Sequence, residues 1–521
     1  MHGIDNKSST DGSHSPPPGQ VRLQTPKVIC AGRSVTEPDK EIENKPSLQG
    51  LSSLSLAMIF SHLKFRDVSS LTKVCTRFRD LIKEDNTLAK AWYRQFSSPH
   101  QYQLRKTINT KNGNQLRAWL QSFTNDEAVL TSFKDCKPES VYLPARLYFT
   151  KTKLMSECKT FKLVNKANIK EDRAIETALL SVNGRHMVTV AEDPRERTPQ
   201  IYVYKTDGSW ENITTIPHED WVNSVIFSLD GDRVLTACGD GTVKIYDKEA
   251  DGSWKHKATL ANNRHALSLI VDERHVLTTS RDGTTMIHGL KDDGSWELPS
   301  TLSHNARIES AALSADGCHL VTAGFDYTAK IHSQKTDGSW EVKGIIPHES
   351  LVYTGNFSPD SHYIVTASRD FTAKIYGRQA DGSWLPEITI EHDCAVKSAT
   401  FSPDGRYVLT ASNDCTVKIY YLNADEKWIK KATFNHDDGV NSASFSPDSR
   451  HLVTASRDGT AKIIGQNDDG SWSEKARIYH KGNVLSATFS ADGSHVITVG
   501  RDCEVQITEL RMNDALPAVI V

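Results

Sequence analysis

From about residue 160 to its end, the chain alternates apolar and polar positions in short runs that polar turns separate. Four successive runs are Val396 to Phe401, Tyr407 to Ser412, Thr416 to Tyr420 and Trp428 to Phe434. Residues 402–405, Ser-Pro-Asp-Gly, separate the first two and favour a tight turn. Alternation with a period of two is typical of half-buried β-strands. The pattern therefore predicts a unit of four antiparallel strands.

Tryptophan marks the repetition of this unit along the chain. Successive tryptophans are 42 or 44 residues apart, at Trp210, Trp254, Trp296, Trp340, Trp384, Trp428 and Trp472. Six of the seven end the string Asp-Gly-Ser-Trp, a hairpin signal in which glycine supplies the positive φ of the turn. A single sheet of this kind has two apolar faces, and stacking such sheets in a closed ring buries both. The period predicts a β-propeller.

A threonine in the second strand and an aspartate four residues later mark each sheet. The pairs are Thr189/Asp193, Thr236/Asp240, Thr278/Asp282, Thr322/Asp326, Thr366/Asp370, Thr410/Asp414, Thr454/Asp458 and Thr498/Asp502. Eight pairs predict eight blades. Ring closure requires both ends of the propeller in one blade. Because residues 163–169 align with the outer strand that begins at Trp472, we expect them to complete the eighth blade, with residues 517–521 as the second candidate.

The residues before the repeats follow other patterns. Residues 1–46 are rich in Ser, Pro, Lys and Asp, which predicts a disordered tail. Residues 47–96 carry apolar side chains three and four positions apart, as short amphipathic helices do. So few residues form a marginal core, and we expect this helical domain to be stabilised by a partner. Residues 97–158 are predicted to be a helical linker, and residues 159–521 the propeller.

Charge and cysteine content narrow the function classes. The net charge is −3 with 24% charged residues, which gives no electrostatic reason to expect nucleic acid or an anionic membrane as a partner. No apolar run is long enough to span a bilayer, and the first residues carry no apolar signal segment. The nine cysteines are scattered without a Cys-x-x-Cys motif, which predicts free thiols. We expect a cytoplasmic protein, with the nucleus and delivery into a host cell left open.

The repeat resembles the WD repeat, and residues 51–92 resemble an F-box. The F-box pattern is visible at Leu51, Leu54, Ile59-Phe60, Leu63, Asp67-Val68, Leu71, Val74-Cys75, Phe78-Arg79, Leu81 and Trp92. Ser52 departs from it, because that family usually has proline there. The two resemblances imply a mainly β chain, in which a small all-α F-box-like domain and a helical linker precede an eight-bladed WD-repeat propeller.

This resemblance implies the substrate-recognition subunit of a cullin-RING ubiquitin ligase, a non-catalytic role without a cofactor. The F-box would bind the adaptor subunit of the ligase, and through it the cullin, with Leu51, Leu54, Ile59, Leu63, Val74 and Phe78. The propeller would bind a protein target. A WD-repeat interaction scaffold without a ligase role is the second hypothesis. A sialidase-like propeller enzyme is the third, because Asp-Gly-Ser-Trp lies where that class has an Asp-x-Gly box.

The residue before each turn aspartate varies while its surroundings repeat. It is arginine in blades 3, 5, 7 and 8, at Arg281, Arg369, Arg457 and Arg501. The WD resemblance places this position on the top face near the central channel, where arginines of F-box receptors resemble those that hold a phosphorylated degron. Guanidinium groups bind phosphate or carboxylate with paired hydrogen bonds. Lys397, Tyr353 and Trp221 join them as candidate target-binding residues. The alternative is that Ser-Arg-Asp is copied between blades and each arginine pairs locally.

Six histidines follow the blade tryptophan by eight residues. They are His218, His304, His348, His392, His436 and His480. One histidine per blade distributes them around a ring, which is unfavourable for shared metal ligation, and we expect no metal site. The WD resemblance implies a structural role instead, in which His392 would bond Thr410 and Asp414. Asn262 replaces this histidine in the third blade.

Overall fold

The computed structural model describes residues 87–94, 96, 101, 105, 143–158 and 160–512, apart from short gaps at 171–174, 183, 192–197, 206–208, 229, 262–265, 272–274, 292–295 and 297–299. The predicted tail, the predicted adaptor-binding residues 51–78 and the second closure candidate 517–521 lie outside these residues. Within them, the chain forms two helices, α1 (Thr87–Tyr93) and α2 (Leu143–Glu157), followed by β-strands. No helix in this part of the chain has the length and apolarity to cross a membrane.

The strands form eight four-stranded antiparallel sheets, the predicted blades. Blades 1 to 4 comprise β2 Ile175–Leu180, β3 His186–Ala191, β4 Gln200–Tyr204 and β5 Trp210–Thr215; β6 Val222–Phe227, β7 Arg233–Cys238, β8 Thr242–Lys248 and β9 Trp254–Ala261; β10 Ala266–Val271, β11 His275–Ser280, β12 Thr284–Gly289 and β13 Ser300–Ser303; β14 Ile308–Leu313, β15 His319–Gly324, β16 Thr328–Gln334 and β17 Trp340–Pro347. Blades 5 to 7 comprise β18 Val352–Phe357, β19 Tyr363–Ser368, β20 Thr372–Arg378 and β21 Trp384–Glu391; β22 Val396–Phe401, β23 Tyr407–Ser412, β24 Thr416–Leu422 and β25 Trp428–Asn435; β26 Val440–Phe445, β27 His451–Ser456, β28 Thr460–Gln466 and β29 Trp472–Tyr479. The predicted mainly β, eight-bladed fold is confirmed.

Blade 8 takes its outer strand from the start of the propeller. Its strands are β30 Val484–Phe489, β31 His495–Gly500, β32 Glu504–Met512 and β1 Phe161–Lys170. β1 pairs antiparallel with β32, from Phe161 opposite Met512 to Lys170 opposite Glu504. The expectation that residues 163–169 close the ring is confirmed. Pairing the two ends of the propeller in one sheet leaves no open edge between first and last blade.

The repeated tryptophan fixes the distance between blades. Trp428 begins the outer strand of blade 6 and is 6% exposed. Its ring packs edge-on against Tyr363 of blade 5 at 5.5 Å and lies 5.8 Å from Phe401 of its own blade. Together with buried valines and isoleucines of both sheets, these rings form an apolar layer between the blades. The constant period of the sequence is therefore the period of this interblade packing.

Helix α2 packs on blades 7 and 8 and leads into β1 with only three residues between them. Leu147 and Tyr148 are fully buried in an apolar cluster with residues of both blades. Lys151 donates from Nζ to the carbonyl of Asp492, and Thr152 Oγ1 donates to Asp448 Oδ2 at 3.3 Å. The chain that approaches the ring from the F-box side is therefore anchored to it.

Helix α1 packs against α2, and this contact buries its aromatic residues. Trp92, one of the positions of the F-box pattern, is 3% exposed and lies edge-on to Phe149 of α2 at 6.0 Å. Trp92 also contacts Phe96 at 4.8 Å. The six cysteines of the described part of the chain are unpaired, as expected for free thiols.

Candidate target-binding face

One end of the ring carries two kinds of connection in each blade, and we call this end the top face. One connection joins the outer strand of a blade to the first strand of the next, and the other is the turn between the second and third strands. The histidine that follows the blade tryptophan by eight residues makes hydrogen bonds that hold the two connections together. In blade 6, His392 Nδ1 donates to Asp414 Oδ2 at 2.7 Å, and Thr410 Oγ1 donates to His392 Nε2 at 2.9 Å. The structural role expected for His392, Thr410 and Asp414 is thus present.

The same network recurs in blades 4 to 8. The distances from Nδ1 to the carboxylate are 3.0 Å for His304, 2.7 Å for His348, 2.7 Å for His436 and 3.0 Å for His480. Each of these four histidines also bonds a threonine hydroxyl through Nε2, at 2.6 to 2.8 Å. Because each ring is occupied by two partners in its own blade, these histidines do not converge on a shared metal.

The turn aspartate is the centre of each network. Asp414 accepts from His392, from the backbone N–H of Asp393, and from the backbone N–H and hydroxyl of Thr416. Burial alone would raise the pKa of Asp414, but these donors outweigh it and lower the pKa to about 2. Burial also lowers the pKa of His392, so that the imidazole is neutral at neutral pH. The result is a rigid rim on which the variable residues are placed.

A β-bulge at the start of the first strand of every blade aims one side chain out of the regular pairing. In blade 6, Val396 pairs with Ser412 and Ser398 with Ala411, which leaves Lys397 as the extra residue. The eight bulge residues are Glu176, Asn223, Leu267, Glu309, Tyr353, Lys397, Asn441 and Leu485. Bulges commonly redirect a side chain beside a functional site. Here the bulged residue varies between blades while its neighbours repeat, as a ligand-contacting position would.

Three of the predicted cations lie together on blades 5, 6 and 7. Lys397 Nζ is 4.5 Å from the centre of the Tyr353 ring, a cation–π contact. Burial lowers the pKa of Lys397, the charges of Arg457 and Arg369 lower it further, and Glu309 opposes them. We call Tyr353, Arg369, Lys397 and Arg457 the cationic cluster. Its concentration of like charge in a half-buried setting would be relieved by an anionic ligand.

The two arginines of the cationic cluster differ in how their side chains are held. Arg457 donates from its guanidinium to Asn441 Oδ1 and to Asn413 Oδ1, each at 3.2 Å. Both acceptors are neutral amides, so the positive charge is held in place without being neutralised. Arg369 is exposed. The alternative expectation is that each arginine pairs locally with an aspartate. Arg457 does not do so, since its partners are Asn441 and Asn413 on other segments.

The remaining predicted target-binding residues lie elsewhere around the ring. Arg281 is exposed on blade 3, and Arg501 is exposed on blade 8. Trp221 is 49% exposed and lies on blade 2, on the far side of the ring from Lys397. The seven residues therefore share a face, but only Tyr353, Arg369, Lys397 and Arg457 form one cluster.

The sequence patterns do not indicate two neighbours of the cationic cluster, Arg307 and Glu309. Arg307 lies 5.1 Å over the ring of Phe325 and pairs with Glu309 at 2.7 Å. Phe325 in turn lies edge-on to Tyr353 at 6.4 Å. The signal that could have found Glu309 is the bulge position itself, which repeats in every blade with a different residue. Arg307 lies outside any repeated signal, because it belongs to the connection before the bulge.

Family models match both parts of the chain. The model described as WD domain, G-beta repeat, matches residues 210–247, 296–333, 340–377, 385–420, 428–464 and 473–508. The F-box domain model matches residues 48–90. The chain is an F-box/WD-repeat protein. In this F-box/WD-repeat protein, β2–β4 of blade 1 and β10–β12 of blade 3 have the fold of the other blades but lie outside the six matched repeats.

The ring of the F-box/WD-repeat protein is similar to solved WD-repeat structures. Sqt1 from Chaetomium thermophilum is 16% identical with a TM-score of 0.57, over 67% of this chain and 99% of that chain. Sqt1 from Saccharomyces cerevisiae is 15% identical with a TM-score of 0.56, over 68% of this chain and 100% of that chain. Identities this low support the shared fold alone. No curated protein sequence matches the chain.

Proposed function

We propose that this protein is the substrate-recognition subunit of an SCF-type E3 ubiquitin ligase and works in the cytoplasm. The observation that carries the proposal is the presence, in one chain, of an F-box at residues 48–90 and a closed propeller with a varied top face. An F-box implies an adaptor partner, and the ring implies a protein partner. A chain that holds both can link a target to a ligase.

The role would require no covalent chemistry from this chain. Holding a target beside a ubiquitin-loaded conjugating enzyme turns a bimolecular encounter into one at high effective concentration. Such a gain depends on a defined distance between the two binding sites. The anchoring of α2 on blades 7 and 8 supports this, because it leaves little free chain between that helix and the ring.

Adaptor binding is tested by a double substitution in the F-box. Leu63→Asp with Val74→Asp places two charges on its predicted apolar face, and we expect loss of binding to the purified adaptor subunit in a pull-down with full-length protein. Leu385→Asp is the matched control, because Leu385 is 51% exposed on the outer strand of blade 5. Absence of adaptor binding by the wild type would refute the ligase role, and undiminished binding by the double variant would refute the predicted docking surface.

For the target, we propose that the cationic cluster binds an anionic segment, with a phosphorylated peptide as the favoured form. Three cations and one aromatic ring converge there, and Arg457 keeps its charge available while amides fix its position. Guanidinium groups bind phosphate bidentately, and each charge-assisted bond is worth more than a neutral one. A kinase would then control affinity through the charge that it adds.

The cationic cluster is tested with Arg369→Glu and Arg457→Glu combined. Against a library of phosphoserine and phosphothreonine peptides and its unphosphorylated counterpart, we expect the wild type to retain phosphopeptides and the double variant to lose at least a hundredfold in affinity, about 2.7 kcal/mol. Arg378→Glu is the matched control, since Arg378 is exposed at the opposite end of β20. A collapse of the melting temperature in the double variant would instead make these arginines structural.

A scaffold without a ligase role is the second candidate. It is favoured by the similarity to Sqt1, whose Chaetomium thermophilum form has been solved bound to the N-terminus of the ribosomal protein L10. By analogy, the ring here would hold a terminal peptide segment without any ubiquitin transfer. The adaptor pull-down separates the two candidates, because only the ligase role requires adaptor binding.

A further inference from the structure

Blade 2 has the histidine, threonine and aspartate of the network but not its geometry. Thr236 bonds His218 Nε2 at 2.7 Å, as in the other blades. At the other nitrogen of the same imidazole, His218 Nδ1 is 3.5 Å from Asp240 Oδ2. The corresponding distance in blades 4 to 8 is 2.7 to 3.0 Å. The Nδ1 atom is fully buried and makes no hydrogen bond with any residue that the structure describes. Leaving a buried polar atom unsatisfied is costly, so this opening requires an explanation.

A cysteine lies beside this opening. Cys238 is fully buried. It takes the position at which blades 3, 5, 6 and 7 have Ser280, Ser368, Ser412 and Ser456, and blades 4 and 8 have Gly324 and Gly500. Its Sγ lies 3.1 Å from the carbonyl of Asp220 and 3.4 Å from the backbone nitrogen of Asp240. The Sγ of Cys238, a ring nitrogen of His218 and a carboxylate oxygen of Asp240 all lie within 4.8 Å of one another. Among the described residues, this is the group of three that has metal-ligand spacing.

We propose that His218, Cys238 and Asp240 bind a single transition-metal ion of the zinc type on the top face of blade 2. Nitrogen, sulfur and oxygen ligands suit Zn²⁺, which places them about 3.3 to 3.7 Å apart in a tetrahedron, so the most widely separated side chains have to close by up to about 1.3 Å. Asp240 is 15% exposed, which leaves the fourth position open to water. His218 would bind through Nδ1 and donate from Nε2 to Thr236, the outer hydrogen bond that metal-binding histidines usually make.

Two of the three groups, His218 and Asp240, are already in the protonation state that binds a metal ion. Burial lowers the pKa of His218 to about 4, so the imidazole is neutral. Burial opposes ionisation of Asp240, but the Thr242 hydroxyl, the Cys238 thiol and backbone donors outweigh it and lower its pKa. Burial raises the pKa of Cys238 to about 12, so the metal would displace a proton on binding, as it does at other thiolate sites. The charge of Lys244 lowers the pKa of His218 further and weakens the attraction for a cation.

The site would tie the connection that carries Trp221 to the turn between β7 and β8. Gly239, between two of the proposed ligands, donates its backbone N–H to the carbonyl of Trp221 at 2.8 Å. A bound ion would therefore hold the half-exposed Trp221 in place on the top face. The inference does not rest on the ligase role, since the ion would bind the ring whatever partner the F-box has.

The test is a titration of tag-free, metal-stripped full-length protein with Co²⁺. We expect a sulfur-to-cobalt charge-transfer absorption that saturates at one ion per chain and is displaced by Zn²⁺. Cys238→Ser introduces the residue that four other blades have here, so it should fold; we expect it to abolish the band and to weaken Zn²⁺ binding at least a hundredfold. Cys415→Ser is the matched control and should keep the band.

A second variant guards against loss of the fold. Asp240→Asn is nearly isosteric with the native residue, and we expect it to weaken Co²⁺ binding at least tenfold. Absence of the band in the wild type, or its persistence in Cys238→Ser, would overturn the proposal. So would a rise in melting temperature with Zn²⁺ that is equal in the wild type and in Cys238→Ser, because the ion would then bind elsewhere.

Discussion

Blades 3 and 6 have the same four-stranded topology but differ in what holds their top ends. In blade 6, Asp414 accepts four hydrogen bonds, one of them from His392. In blade 3, asparagine stands at position 262 in place of the histidine. The hydroxyl of Thr278, the counterpart of Thr410, is buried without a hydrogen-bond partner among the described residues. The outer strand β13 has four residues, whereas β25 has eight.

The difference separates two sources of stability. Blade 3 keeps its place because apolar residues on both faces pack against its neighbours, with Val276 facing blade 2 and Leu277 facing blade 4. Burial of this kind does not depend on one bond, and it is proportional to the apolar area removed from water. The histidine network is a local addition that joins the two connections of a blade. The ring therefore tolerates a blade without it, and the cost should stay within that blade.

The largest expected effect on the free energy of unfolding comes from removing the turn aspartate, Asp414 in blade 6 compared with Asp282 in blade 3. Asp414→Ala leaves the buried His392 and three further donors without an acceptor, and we expect it to lower the free energy of unfolding by about 3 kcal/mol. Asp282→Ala removes an exposed carboxylate whose donor among the described residues is Thr284, and we expect a loss of about 1 kcal/mol. Urea denaturation followed by fluorescence measures both, and equal losses would mean that the network does not distinguish the blades.

The uniform parts of the ring are those that the sequence predicts best. The strands of blade 6 begin at the predicted residues, and the closing strand was predicted because residues 163–169 repeat the pattern after Trp472. Repetition supplies the register of every copy once one is understood. The linker is predicted to be helical, but the pattern does not give the bounds of α2, because two of its buried residues, Lys151 and Thr152, are polar. Their partners lie 341 and 296 residues later, and no local periodicity shows that they face the ring.

The candidate site could be predicted in part. The arginines stand out by variation at a repeated position, and Lys397 and Tyr353 join them as further candidates. The structure shows that Lys397 and Tyr353 are bulge residues, which the sequence pattern does not indicate. The sequence did not indicate that Asn413 and Asn441 hold Arg457, since that depends on how neighbouring blades meet. The same regularity hid the group of His218, Cys238 and Asp240. Two of its members are repeat residues, and the third, Cys238, replaces the serine or glycine of other blades without any Cys-x-x-Cys spacing to mark it.

Low pH should destabilise blade 6 through the imidazole of His392, a group that blade 3 lacks because it has Asn262 instead. Burial lowers the pKa of His392 from its ordinary 6.5, so the unfolded chain takes up a proton at a higher pH than the folded chain does. Stability from this group is fully present above pH 6.5 and is lost progressively as the pH falls below it. Each such histidine contributes at most about 1.4 kcal/mol per pH unit to the slope. We expect the melting temperature to fall between pH 6.5 and 4.5.

His392→Asn gives blade 6 the residue of blade 3 and tests the origin of that slope. We expect the variant to be less stable at pH 7.5 but to lose less stability on acidification, by up to about 1.4 kcal/mol per pH unit. His362→Asn is the matched control, since the His362 side chain is 70% exposed. An unchanged slope in His392→Asn would assign the acid sensitivity to other groups.

The smallest expected effect is a gain, obtained by giving blade 3 the residue of blade 6. Asn262→His supplies an imidazole for Asp282 and for Thr278, whose buried hydroxyl has no hydrogen-bond partner within the described part of the chain. A buried hydrogen bond contributes about 1 kcal/mol, and we expect the free energy of unfolding to rise by about that amount. Asn262→Gln adds length without a ring and should give no gain. A rise that depends on the imidazole would show that blade 3 retains the geometry of the network and lacks only its histidine, whereas no rise would mean that its top connection has changed shape.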